Sequence, residues 1–189
     1  MRYCSSIKKD IKILKNGIAT LIHRHKKISE KASEMEDIFI RMRYEGKVNF
    51  YTNLNNIKKT LVFLKKNLLP CIEVENICFG FVEKHIPRRQ ALVKILEAEH
   101  KEIIFLIKGL SDLVNKLNRL RSTISRTEVI DKLKEKGTYL NYFIRQHTQI
   151  ENAEVFSPID KELGPQEKQI LLKSLKKPLV KLASFKIPL

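Results

Sequence analysis

Apolar residues recur at steps of three and four through four long stretches of this chain, a spacing that fits α-helices burying one face. The first stretch reads Ile7, Ile11, Leu14, Ile18, Leu21, His25, Ile28, Ala32, Met35, Phe39 and Met42. The second reads Ile57, Leu61, Leu64, Leu68, Cys71, Glu75, Cys78 and Val82, and the third Leu92, Leu96, His100, Ile103, Ile107, Leu110, Val114 and Leu117. The fourth carries Leu140, Phe143, His147, Ile150, Glu151 and Val155. Six glycines, six prolines and no tryptophan among 189 residues are consistent with a helical chain poor in turns.

Breaker and capping residues set the expected boundaries. One helix should run from Ile7 to Tyr44, stopped by Gly46, and a second from Asn49 to His85, bent at Pro70. Pro87 marks the next turn, and a third helix should run from Arg88 to Leu120. A polar connection, 121–127, leads to a fourth helix that starts at Thr127 and ends near Pro158. Gly164-Pro165 opens a last short amphipathic helix with Ile170, Leu171 and Leu175 on one side, followed by a basic, apolar tail from Pro178. Short connections make neighbouring helices antiparallel. The expected fold is therefore all-α: an up-down-up-down antiparallel four-helix bundle with a short extra C-terminal helix. It should form a single domain over residues 1–189, its core at about 7–160 and its C-terminal helix and tail at about 165–189.

Each stripe holds a ligand-type residue where apolar side chains are the rule: His25, the pair Cys71 and Glu75, His100, and the pair His147 and Glu151. Imidazoles and carboxylates rarely enter a core without a partner. Their depths agree. Measured from the expected turns, His25 and Cys71 lie about 23 residues either side of the first, Glu75 and His100 about 12 to 13 either side of the second, and His100 and His147 about 23 to 24 either side of the third. At about 1.5 Å per residue, all five fall within roughly one helical turn of a common layer. His147 and Glu151, four apart, share a helix face, and Cys71 and Glu75 repeat that geometry. Carboxylates with imidazoles inside a bundle suit iron or manganese, commonly as two metals bridged by carboxylates. A single core histidine is more often hydrogen-bonded to a neighbour, and a buried cysteine is more often a small core residue, so the shared depth carries the metal reading.

The net charge of +16 implies attraction to polyanions. The lysines are spread over every segment without a recognition-helix, RNP-type or zinc-finger pattern, so a solvated basic surface is favoured over a nucleic-acid site. No apolar run reaches the ~18 residues of a membrane span, and no apolar segment follows the basic N-terminus as in a signal peptide. Three cysteines, Cys4, Cys71 and Cys78, form no disulfide or zinc-ribbon spacing, which points to a reducing cytoplasm.

Several segments resemble the hemerythrin-like, or HHE cation-binding, family. Leu21-Ile22-His23-Arg24-His25-Lys26-Lys27-Ile28 is similar to its first-helix motif, and His85-Ile86-Pro87-Arg88-Arg89 with Leu96-Glu97-Ala98-Glu99-His100 to its second turn and third-helix histidine. The most specific match is the segment 142–158, with His147-x-x-x-Glu151-Asn152 and a trailing Phe156 and Pro158. The resemblance covers about residues 10 to 175. It implies a non-haem di-iron centre bridged by Glu75 and Glu151, with His25, His100 and His147 as terminal ligands and a small diatomic ligand such as oxygen or nitric oxide. Two positions depart from the family pattern. Cys71, after Pro70, stands where the second helix supplies a histidine, and Ile104 where hemerythrins proper place another imidazole. A Cys71 thiolate could replace the lost ligand; an inert thiol beside a depleted site is the alternative.

The function that the resemblance implies is iron binding in oxygen, nitric oxide or iron sensing, storage or protection. No nucleophile–base pair, phosphate loop or dinucleotide fingerprint appears in the sequence, and enzyme activity stays open. The other reading is a metal-depleted helical scaffold that binds a partner through its basic surface.

Overall fold

The computed structural model describes residues 2–44, 49–120 and 123–184, with side chains described over 9–42, 49–120 and 125–182. Its elements are α1 (Arg2–Tyr44), α2 (Phe50–His85), a single 3₁₀ turn (Pro87–Arg89), α3 (Gln90–Arg119), α4 (Thr123–Glu151), a π-helical turn (Asn152–Phe156), α5 (Ser157–Lys161) and α6 (Pro165–Ser184). There is no strand among the described residues. The fold is the all-α bundle with an extra C-terminal helix that the periodicity predicts.

The chain forms two compact units: Met1–Lys26, Asn67–Glu99 and His147–Leu189 make one, Lys27–Lys66 and His100–Gln146 the other. The first unit holds the beginning of α1, the end of α2, the beginning of α3 and the end of α4, so successive helices alternate in direction within it. Its core includes Leu14, Leu21, Leu68, Phe79, Val82, Val93, Leu96, Phe156 and Ile159. Helix α6 is anchored along this unit: Leu179 packs against Gly17, where a Cβ would clash with it, Lys181 pairs with Glu73 at 2.8 Å, and the Gln169 amide donates to Asp10 at 2.9 Å. The second unit is built around Ile28, Met35, Phe39, Leu54, Ile57, Ile103 and Leu110. There the Phe39 ring lies against Gly137, Ser33 donates to Asn141 at 3.1 Å, and Arg126 stacks over Phe50 at 5.3 Å.

The structure corrects several boundaries. Helix α4 begins at Thr123, so Thr127 sits inside it rather than capping it. The segment 121–136 is polar but contains neither Gly nor Pro, and the Arg126 side chain donates to the Leu120 carbonyl at 2.9 Å, satisfying one acceptor at the end of α3. Helical structure also continues past Pro158 to Lys161. The Ser157 N–H donates to the Asn152 carbonyl, the i→i−5 pattern of a π turn, and the extra residue in that turn gives the Pro158 ring room that an α-helix lacks. Helix α2 runs through Pro70, as expected. Helix α6 is 20 residues long and includes Pro178. It buries Leu171, Leu172, Leu175 and Leu182, whereas Ile170, expected on the same side, is 52% exposed. Ile11, Ile18, Leu92, Phe143 and Ile150 are half-buried, with Val93 and Ile144 buried beside two of them. Gly46 and the Ile7 side chain lie outside the described residues.

Candidate metal centre

His25 is carried inward by Leu21 and Ile28, one turn away on either side and both fully buried. On α2, Leu68, Cys71, Glu75 and Cys78 continue one buried face at steps of three and four. On α4, His147 and Glu151 occupy the same inward phase as Leu140 and Ile144. The result is a dense polar cluster in the first unit, in which His25, Cys71, Glu75, His147 and Glu151 are all at most 3% exposed.

The geometry within the cluster is specific. His25 Nε2 lies 2.6 Å from Glu75 Oε1, and His25 Nδ1 lies 3.7 Å from Glu151 Oε2. His147 Nε2 lies 3.2 Å from Glu151 Oε1. The two oxygens of Glu151 thus face two different imidazoles. His25, Cys71 and Glu75 each offer one ligand atom, all within 4.8 Å of one another. His147 turns its other nitrogen, Nδ1, toward Glu99 Oε2 at 2.7 Å. A carboxylate that accepts from Nδ1–H fixes the tautomer and leaves Nε2 as the donor atom, the outer-shell arrangement typical of metal-bound histidines. The donor set therefore fits a cation: imidazole nitrogens and carboxylate oxygens converge with a sulfur in a volume from which water is excluded. The Phe156 ring, held in the π turn, packs near His25 with centroids 6.0 Å apart and closes one side.

Burial, and then charge in this cluster, explain the state of the thiol. Burial pushes the Cys71 thiol well above its ordinary range, Glu75 and Glu151 add to the rise, and Arg24 opposes it. In the metal-free protein Cys71 is consequently a neutral thiol at neutral pH. Cys78 is raised for the same reasons, burial first, then Glu75 and Glu151.

Five of the six expected ligand residues come together in this unit. The sixth, His100, is buried and follows Glu99 directly on α3, on the inward stripe between Leu96 and Ile103, and it opens the second unit. His23 is exposed, as its place off the stripe implies. Sequence periodicity did not single out Glu99, which is partly exposed and off the apolar stripe. It also missed Arg24, 4% exposed, which donates to the Leu182 carbonyl at 2.6 Å and so ties the end of α6 to the residue before His25. The only signal for either was its position next to a histidine.

The hemerythrin HHE cation binding domain model matches residues 16–159. The chain belongs to this family of cation-binding helical domains. No curated protein matches it. The matched span contains every residue of the cluster and ends before α6.

Proposed function

We propose that this chain is a non-haem iron protein, holding one or two ions, that serves in oxygen, nitric oxide or iron sensing or storage. The observation that carries the reading is Glu151, whose two buried oxygens address His25 on one side and His147 on the other. A carboxylate so placed would be able to bridge two ions, the role the family resemblance gives it. In this reading His25 and Glu75 serve one position and His147 the other. The family resemblance adds His100 to the second position and a bridging role to Glu75. Iron, when bound, would supply the redox-active centre to which a diatomic ligand attaches. The chain's own residues do the rest: Glu99 orients His147, and the buried side chains of Phe156 and Leu21 keep water out. Buried free thiols at Cys71 and Cys78 suit a reducing cytoplasm.

The second reading, a scaffold that has lost its metal, draws on Cys71 and Ile104. Cys71 stands where an imidazole is expected, and Ile104 is 41% exposed, turned partly outward where hemerythrins proper place a ligand. Elemental analysis of protein purified and reconstituted without oxygen separates the two. Iron retained through gel filtration supports the proposal, whereas protein free of transition metal after reconstitution refutes it.

A further inference from the structure

The two halves of the cluster are chemically unequal. Around His147 the donors within the first unit are nitrogen and oxygen: the imidazole and the Glu151 carboxylate, 3.2 Å apart. Around His25 the trio is one imidazole, one carboxylate and one sulfur, from His25, Glu75 and Cys71, with the ligand atoms within 4.8 Å of one another. All three side chains are at most 3% exposed. Donor atoms sharing one four-coordinate ion stand roughly 3 to 4 Å apart, given metal–ligand bonds of about 2.0–2.3 Å. The trio reaches that spacing with small side-chain movements. Glu151 lies on the other side of the ring, its Oε2 3.7 Å from His25 Nδ1, and is not one of the trio.

We infer that His25, Cys71 and Glu75 form a thiolate-containing metal position that takes a thiophilic divalent ion of the zinc type, which its neighbour does not favour. The inference rests on the metal-binding reading of the cluster and deepens it, because it assigns the two positions different metals. Sulfur is the donor that separates them: thiolate selects zinc and similar borderline-soft ions, whereas an imidazole–carboxylate set also suits iron and manganese. Binding is a ligand exchange without redox change. The Cys71 S–H bond breaks, the sulfur–metal bond forms with the sulfur electron pair, and the proton leaves to the buffer. Cys71 comes from the right place on α2, four residues before Glu75, so the thiol and the carboxylate share one helix face. Cys78 is buried on the same helix but one turn beyond Glu75, and it lies outside the trio.

The test uses the full chain and cobalt(II) as a spectroscopic stand-in for zinc, added anaerobically. Cysteine ligation gives an intense near-ultraviolet sulfur-to-cobalt charge-transfer band, which nitrogen and oxygen ligands do not produce. The wild type should show this band together with visible cobalt absorption. Cys71→Ser should lose the band, weaken cobalt binding at that position by more than about tenfold, and keep the visible absorption of the other position. Cys4→Ser and Cys78→Ser should keep the band, which also rules out the other two thiols. Zinc added in steps should bleach the band before it removes the remaining cobalt absorption. A Cys71→His variant covers the case in which Cys71→Ser does not fold: it should bind cobalt without the band.

Wild type that binds cobalt with no charge-transfer band overturns the thiolate position while leaving metal binding by the cluster intact. Zinc that removes both absorptions in parallel overturns the inequality of the two positions. If neither wild type nor any variant binds cobalt, the metal reading itself falls and this inference falls with it.

Discussion

At His147 the ring is gripped from both sides, by Glu99 through Nδ1 and by Glu151 beside Nε2. Removing the outer partner should therefore injure metal binding more than folding. Glu99→Ala is expected to weaken metal affinity by about 10–100-fold, the usual scale for losing such a partner, with little change in thermal unfolding. Equal affinities for the variant and wild type in a metal titration would show that Glu99 does not position His147 for a metal. This residue also marks the limit of reading a site from periodicity. Inward-facing ligands such as His25, Glu75 and Glu151 announce themselves because they break an apolar stripe, but a partner that approaches from the half-exposed flank of a helix leaves no such trace. Cys78 supplies a second test at this scale. Its thiol stays protonated in the folded protein where an unfolded one would ionise. Stability is thus intact below pH 9 and should fall as pH rises above it, by up to about 1.4 kcal/mol per pH unit for this thiol. Denaturant midpoints at several alkaline pH values, compared with Cys78→Ala, should show the shallower fall in the variant; parallel curves would contradict it.

Among the elements, the junction from α4 into α5 does the most to shape the site. A continuous α-helix through Pro158 would lose a hydrogen bond and clash at the preceding turn. The π turn Asn152–Phe156 absorbs this and delivers Phe156 against His25. Phe156→Ala should cost about 3–5 kcal/mol, as for other buried aromatics, and loosen the His25 ring. A chemical-denaturation shift well under that range would mean that Phe156 is a peripheral contact. Helix α4 also contains Gly137, held against the Phe39 ring. By helix propensity alone Gly137→Ala should stabilise by about 1 kcal/mol, yet the added methyl meets that ring, so we expect a net loss on the order of 1–3 kcal/mol, read as a lower thermal midpoint. Element existence was legible from the stripes, and so were the end of α1 and both ends of α2 and α3, whereas the ends of α4 were not. Thr127 looks like a cap, but no Gly or Pro stops the helix from starting at Thr123; Pro158 looks like a stop, but a π turn carries the helix past it.

For the molecule as a whole, the fold and the candidate centre became legible together because helical rise is constant. Counting from the turns places ligand residues of different helices at one depth, and the first unit indeed gathers His25, Cys71, Glu75, His147 and Glu151. Helix α6 was less legible: its anchoring depends on Gly17, Arg24 and Glu73, three residues of α1 and α2 with no shared pattern. The charge of +16 is spread over all the long helices. It should give weak, sequence-independent binding to nucleic acid that declines steeply with salt, and selective binding at physiological salt in a competition assay would contradict that expectation. The central claim is that this buried cluster holds iron. Anaerobic iron titration of the wild type beside His147→Ala tests it most directly. The wild type should bind one or two irons, more weakly as pH falls because imidazole ligands must be neutral to coordinate, and His147→Ala should lose most of that binding; a wild type as iron-free as the variant would contradict the account.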